Sequence, residues 1–246
     1  MDKSSEPRGH RQLRQAVVFD LFHTLVDPEE FRPKEYRRAE VVADMLGLDK
    51  APFLAYWKKT QKERMTTLRP ELQYVKDFVV DSGKTPPSSR VFDKADEALG
   101  RYQDMALLKP RNDVVAPIRR LASRGYRLGL LSNTYERDVR EWSHSPLASS
   151  FNAIAFSHEI GVMKPERDAY LVILRRLGLD AKACAYVGDG GSQELSGAKE
   201  AGFGRVVFMR KFVSKNGMRN PEELQEFASR ADASVEDFED LERNLA

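Results

Sequence analysis

The stretch AVVFDLFHTLVD, Ala16 to Asp27, decides how the chain is read. Ala16 to Phe19 is a short apolar run of the kind that forms a buried strand. It runs straight into a carboxylate, Asp20, and then into a turn. A charge at the end of such a strand costs free energy unless something holds it. Asp20 could cap the turn, or it could carry chemistry. Phe22, two places later, belongs to the same question.

Working outward, similar runs recur at YRLGLLS (126–132), AIAFS (153–157), ACAYVG (183–188) and RVVFM (205–209). Helical patterns lie between them. In PERDAYLVILRRLG, Tyr170, Ile173, Leu174 and Leu177 share one face; Pro165 suits the first helical turn and Gly178 the end. This alternation predicts an α/β fold with a doubly wound, Rossmann-like parallel sheet. The final ADASVEDFEDLERNLA is expected to add an edge strand and a short helix.

Residues 28–108 have a different texture. They carry no strand pattern and read as four helices, near 33–46, 53–66, 70–81 and 89–105. Pro33, Pro52, Pro70 and GKTPPSS (83–89) punctuate them, and Gly47 closes the first. The expected organisation is a flexible arm at 1–14, a core formed by 15–27 and 109–246, and an all-helical cap at 28–108.

Composition narrows the function classes. A formal net charge of +2 gives no reason to expect nucleic acid as a partner. The single cysteine, Cys184, excludes an intrachain disulfide and reads as a small core residue of a strand. No apolar run is long enough to span a membrane, and the first residues lack an apolar signal core. The expectation is a cytoplasmic monomer or homodimer that acts on a small molecule, with no membrane partner.

In an open α/β sheet, ligands bind beyond the carboxyl ends of the strands. Asp20 ends the first strand and Ser132 the second, in LLSNT. Lys164 follows in GVMKPE, and Asp189 ends a later strand in YVGDGGSQE. Taken singly, each has an ordinary reading: a helix cap, a surface lysine, a glycine-rich turn. Together they deliver a carboxylate, a hydroxyl, an ammonium and a second carboxylate to one edge.

VVFDLFHTLV, LLSNT, GVMKP and YVGDGGSQE resemble the four successive motifs of the haloacid dehalogenase-like hydrolase superfamily. The helical insertion after the first motif is similar to the C1-type cap of its subfamily I. The resemblance implies that Asp20 is a nucleophile forming a covalent ester, with Ser132 and Lys164 as its catalytic companions. It implies a Mg²⁺ held by Asp20, Asp189 and the backbone carbonyl of Phe22, with Glu194 orienting the surrounding water. Phe22, His23 and Asn133 would face the substrate.

Phe22 departs from the phosphatases of this family, which usually carry a second aspartate there as general acid and base. Haloacid dehalogenases carry an aromatic at that position but typically lose the Gly-Asp signature that is kept here as Gly188 and Asp189. Three readings stay open. One is a Mg²⁺-dependent hydrolase of a phosphorylated compound, its acid coming from the substrate, the cap or His23, unless His23 is simply a packed structural residue. The second is a carbon–halogen or other carbon-centred hydrolase, with Arg37, Arg38, Arg64 or Arg69 gripping a substrate carboxylate. The third is a weakly active or inactive relative that binds a ligand. In FLAYWKKTQKERM (53–65), Tyr56 and Trp57 beside Lys58 and Lys59 read as a substrate wall or, more simply, as a helix with one buried aromatic face.

Overall fold

The structure, a computed structural model, describes residues 15–215, 217 and 219–245; the expected N-terminal arm at 1–14 lies outside the described residues. Six parallel strands form one sheet: β1 (Ala16–Phe19), β2 (Arg127–Ser132), β3 (Ala153–Phe156), β4 (Cys184–Gly188), β5 (Arg205–Met209) and β6 (Ala233–Val235). Their order is β3-β2-β1-β4-β5-β6, so the chain starts in the middle of the sheet and winds outward on both sides. β6 is the edge strand expected near the C-terminus.

The strands are apolar on both faces because helices cover both faces. Five helices come first in the chain: α1 (Arg38–Leu46), α2 (Lys50–Lys59), α3 (Gln61–Met65), α4 (Glu71–Asp81) and α5 (Ser89–Leu108). Seven follow: α6 (Asn112–Ser123), α7 (Ser157–Ile160), α8 (Arg167–Leu177), α9 (Glu194–Glu200), α10 (Lys211–Lys215), α11 (Pro221–Arg230) and α12 (Phe238–Leu241). Val17 and Phe19 of β1 point to one face, against Ile118 and Leu121 of α6, Phe238 and Leu241 of α12 and Leu107 of α5. Ala16 and Val18 point to the other, against Ile173 and Leu177 of α8 and Leu195 of α9. The period of two along β1 sorts its side chains between these cores. Each fully buried large side chain contributes about 1.5–3 kcal/mol of transfer free energy.

Helices α1 to α5 enclose a third cluster, including Val42, Phe53, Val75, Val79, Phe92 and Leu99. Where the sequence reads four helices, the structure has five, because Thr60 ends α2 and starts α3 with φ −90° and ψ 3°. The Thr60 hydroxyl donates to the Tyr56 carbonyl at 3.0 Å, competing with continuation of the helix. Pro52 does not precede α2 but sits in its first turn, three residues after the N-cap Asp49, where a missing N–H costs nothing. Pro165 is likewise displaced from the reading: it precedes Glu166, the N-cap of α8, and follows Lys164 through a cis peptide bond. Trp57 packs against Phe53 at 5.4 Å between ring centroids and under the Arg64 guanidinium at 3.7 Å. The aromatic face of α2 is therefore turned into this cluster.

Candidate active site

The sheet register brings the polar strand ends together. Phe19 is level with Leu130 on one side and Val187 on the other. One step further, Asp20 stands beside Leu131 and Gly188, and its N–H donates to the Val187 carbonyl at 2.9 Å. Ser132 and Asp189 lie one residue beyond that. The result is a cavity of about 270 Å³ at the carboxyl edge of the sheet. Asp20, Phe22, His23, Ser132, Asn133, Lys164, Asp189 and Glu194 all line it, together with Gly191, Ser192 and Arg219.

Lys164 is the buried hub. Its ammonium donates to Asp20 Oδ1 at 2.5 Å, to the Tyr186 hydroxyl at 3.0 Å and to a Glu194 carboxylate oxygen. Burial opposes its charge, but the Asp20 and Glu194 carboxylates outweigh burial and raise its pKa. It stays cationic at any ordinary pH. Asn133 fixes its position from the loop after β2. The Asn133 amide donates to the Lys164 carbonyl at 2.8 Å and accepts from the Lys164 N–H at 2.8 Å. Both ends of the Asn133 side chain are thus occupied in joining two loops.

Glu194, at the start of α9, accepts from Lys164, from the Tyr186 hydroxyl at 2.6 Å and from the Gly190 N–H at 3.1 Å. Burial drives its pKa up to about 8, against the pull of Lys164. Gly188 makes this tuck available: a Cβ there would stand 2.1 Å from Glu194 Oε1. Asp189 accepts from the Gly191 N–H at 3.0 Å. Burial and the neighbouring Asp20 charge raise its pKa, the signature of converging carboxylates that repel one another. Asp20, Asp189 and Glu194 each bring an oxygen within 4.8 Å of the others.

The turn after β1 is tightly built. His23 adopts φ 63°, a left-handed conformation unusual for a side chain with a Cβ. The Phe22–Val26 bridge uses His23 N–H on the Val26 carbonyl and Val26 N–H on the Leu21 carbonyl. Neither bond uses the Phe22 carbonyl. His23 Nδ1 stands 3.4 Å from Asp27 Oδ1. Burial works against its imidazolium, but the nearby carboxylates of Asp27 and Asp189 leave its pKa raised.

None of the four arginines read from residues 28–108 lines this cavity. Arg38 pairs with Glu71 and Asp138, and Arg64 donates to Glu71 at 2.5 Å. Arg69 pairs with Asp77, while Arg37 donates to the Lys34 and Tyr36 carbonyls. Tyr186, Ser192 and Arg219 were not singled out from the sequence. Tyr186 carries a detectable signal: a hydroxyl inside an apolar strand needs a partner. Its pKa is raised, by burial and then by the Glu194 charge, so the hydroxyl keeps its proton and donates. Arg219 carries no such signal, since the connection between β5 and α11 has no motif.

A family model described as haloacid dehalogenase-like hydrolase matches residues 15–202. The chain belongs to the haloacid dehalogenase-like hydrolases. A glyceraldehyde 3-phosphate phosphatase of Methanothermobacter thermautotrophicus is 28% identical over 223 residues, covering 84% of this chain and 93% of that protein. The same-named protein of Methanopyrus kandleri is 30% identical over 135 residues, 53% of this chain and 57% of its own length, so that match spans little more than half of the relative. A solved 2-haloacid dehalogenase of Pseudomonas syringae pv. Tomato DC3000 shares the fold, with a TM-score of 0.63 at 24% identity, over 95% of this chain and 98% of that one. As a haloacid dehalogenase-like hydrolase the chain is a hydrolytic enzyme. Among the described residues, no helix is long and apolar enough to cross a membrane.

Proposed function

We propose that this hydrolase is a Mg²⁺-dependent phosphatase of a small phosphorylated metabolite, with Asp20 as nucleophile. The observation that carries the reading is the convergence of Asp20, Asp189 and Glu194, with oxygens within 4.8 Å of one another, while buried Lys164 bridges Asp20 and Glu194. Three carboxylates exceed the charge that Lys164 supplies, and their oxygens are the hard donors that Mg²⁺ prefers. Asp20, Asp189 and the Phe22 carbonyl would hold the ion, with Glu194 behind them. It would supply charge neutralisation to the incoming phosphoryl group. The name shared by the curated relatives, glyceraldehyde 3-phosphate phosphatase, favours a substrate of triose-phosphate size, and a cavity of about 270 Å³ suits such a molecule.

The chain's own residues divide the work as follows. Lys164 binds one oxygen of Asp20 and holds the carboxylate in place. Asp20 attacks phosphorus, the bond from phosphorus to the ester oxygen breaks, and the electron pair leaves with that oxygen. Ser132 and the backbone amides beyond it hold the phosphoryl oxygens. The leaving oxygen takes a proton. Phe22 has none to give, and His23, paired with Asp27 and lining the cavity, takes over that role. Water then attacks the aspartyl phosphate, gives a proton back to His23, and the breaking of the bond from phosphorus to the Asp20 oxygen releases phosphate and the free Asp20 carboxylate. Residues 28–108 act as the cap that shields these steps from bulk water.

The carbon-centred alternative draws on Phe22, which lines the cavity and packs against the β1 core. It also requires a cation to grip the substrate carboxylate; Arg38, Arg64 and Arg69 are paired with carboxylates and Arg37 with backbone carbonyls, which leaves Arg219 of the cavity lining for that role. Asp20→Asn keeps the shape of the side chain and removes the nucleophile. It is expected to reduce phosphate release from glyceraldehyde 3-phosphate to background while the thermal unfolding curve persists. Undiminished turnover in that variant would remove Asp20 from the mechanism.

A further inference from the structure

Lys164 is the buried cation beside the nucleophile, yet an ammonium has three N–H donors, and all three are taken. Asp20, Tyr186 and Glu194 occupy them.

Arg219 has what Lys164 lacks. It lines the same cavity, beside Gly191 and Ser192 of the loop after β4. Its Nε is buried and makes no hydrogen bond among the described residues. Among the described residues its ion pair is to Glu223, 3.8 Å long and beyond hydrogen-bond reach. The guanidinium rests on the Phe227 ring, 5.5 Å from its centroid. Phe227 is itself fixed, edge-on to Phe208 at 5.7 Å and against Gly190, where a Cβ would stand 2.6 Å from the ring. Just after Arg219, α11 begins with Asn220 capping the Glu223 N–H at 2.8 Å. The chain thus presents a supported guanidinium with most of its five donors unused at the site of phosphoryl transfer.

We propose that Arg219 is a phosphate-binding residue of this site, its guanidinium gripping the non-bridging phosphoryl oxygens of the substrate. This rests on the phosphatase reading above. A planar fork of N–H donors matches phosphate oxygens pairwise, which a lysine cannot do. In this arrangement Lys164 orders the nucleophile and Arg219 orders the electrophile. The two cations are not interchangeable.

The test compares wild type, Arg219→Ala and Arg219→Lys by calorimetric titration with inorganic phosphate in Mg²⁺ and by steady-state hydrolysis of an aryl phosphate. Arg219→Ala is expected to raise both the phosphate dissociation constant and KM by about ten-fold or more, the usual loss for a charge-assisted hydrogen bond. Arg219→Lys is expected to recover part of both, because it restores the charge without the fork. Thermal unfolding of each variant separates this from a folding defect, which would lower the melting temperature without a common shift in the two constants. If wild type binds phosphate and cleaves the ester but Arg219→Ala does both within two-fold as well, Arg219 has no such role and the phosphatase reading survives. If wild type neither binds phosphate nor cleaves the ester, the phosphatase reading itself falls.

Discussion

At position 22 a phenyl ring stands where a carboxylic acid would serve a phosphatase best. Phe22 lines the cavity and packs against the β1 core, so a charge placed there needs a partner. If His23 gives the proton in its place, Phe22→Asp should restore the usual donor. The gain depends on the leaving group, because a proton matters most to a poor one. An alkyl phosphate should be cleaved faster by the variant, by up to about 10²-fold, the lower end of what general acid catalysis supplies. An aryl phosphate should change little in the step that expels a stabilised phenolate. Parallel thermal unfolding distinguishes a missing gain from a collapsed pocket. A folded variant without any gain on alkyl esters would favour carbon-centred chemistry. At this scale the sequence was informative where geometry is fixed by strand ends, as for Asp20, Ser132 and Asp189. It was silent on Arg219, whose place in the cavity depends on a connection that only the folded chain brings back to β4.

Among the elements, the loop from β4 into α9 carries the strongest local constraint. Gly188, Asp189 and Gly190 lead into Ser192 and Gln193, both with φ near +50°, a conformation that side chains adopt only when their surroundings enforce it. The close approach of Gly188 to Glu194 explains the glycine better than turn formation does. Gly188→Ala would force the Glu194 carboxylate off Lys164 and Tyr186. Crowding of this kind costs about 1–3 kcal/mol, and the variant should lose both melting temperature and phosphate release. A Gly188→Ala protein with wild-type stability and rate would show that the Glu194 tuck is dispensable. Strands were readable because runs of Val, Leu and Phe covered on both faces leave a continuous apolar signature. The helices of residues 28–108 were readable in kind but not in number. Thr60 breaks α2 from α3 through one hydroxyl-to-carbonyl bond, and Pro52 fits inside a first turn, so neither residue announces its boundary.

Across the whole molecule, charge joins the helices of residues 28–108 to the sheet-bearing part. Arg38 of α1 reaches Asp138, Arg137 donates to Asp104 of α5 at 2.8 Å, Arg140 reaches Asp96 of α5 at 2.6 Å, and Lys62 of α3 meets Glu166 at 3.1 Å. Tyr135, three residues past Ser132, accepts the Arg64 guanidinium over its ring at 4.9 Å. These ties hold the five helices against the segment that follows Ser132 and Asn133, while the cavity lining itself comes from outside residues 28–108. The arrangement of Asp20, Lys164, Asp189 and Glu194 supports the proposed phosphoryl transfer with Mg²⁺. The central claim is tested most directly by presenting the purified protein with glyceraldehyde 3-phosphate and with 2-haloacids, each with Mg²⁺ and with EDTA, and measuring released phosphate and halide. Phosphate release that appears with Mg²⁺ and disappears with EDTA, with no halide from any haloacid, is the expected result. Halide release indifferent to EDTA, with no phosphate from the ester, would contradict it.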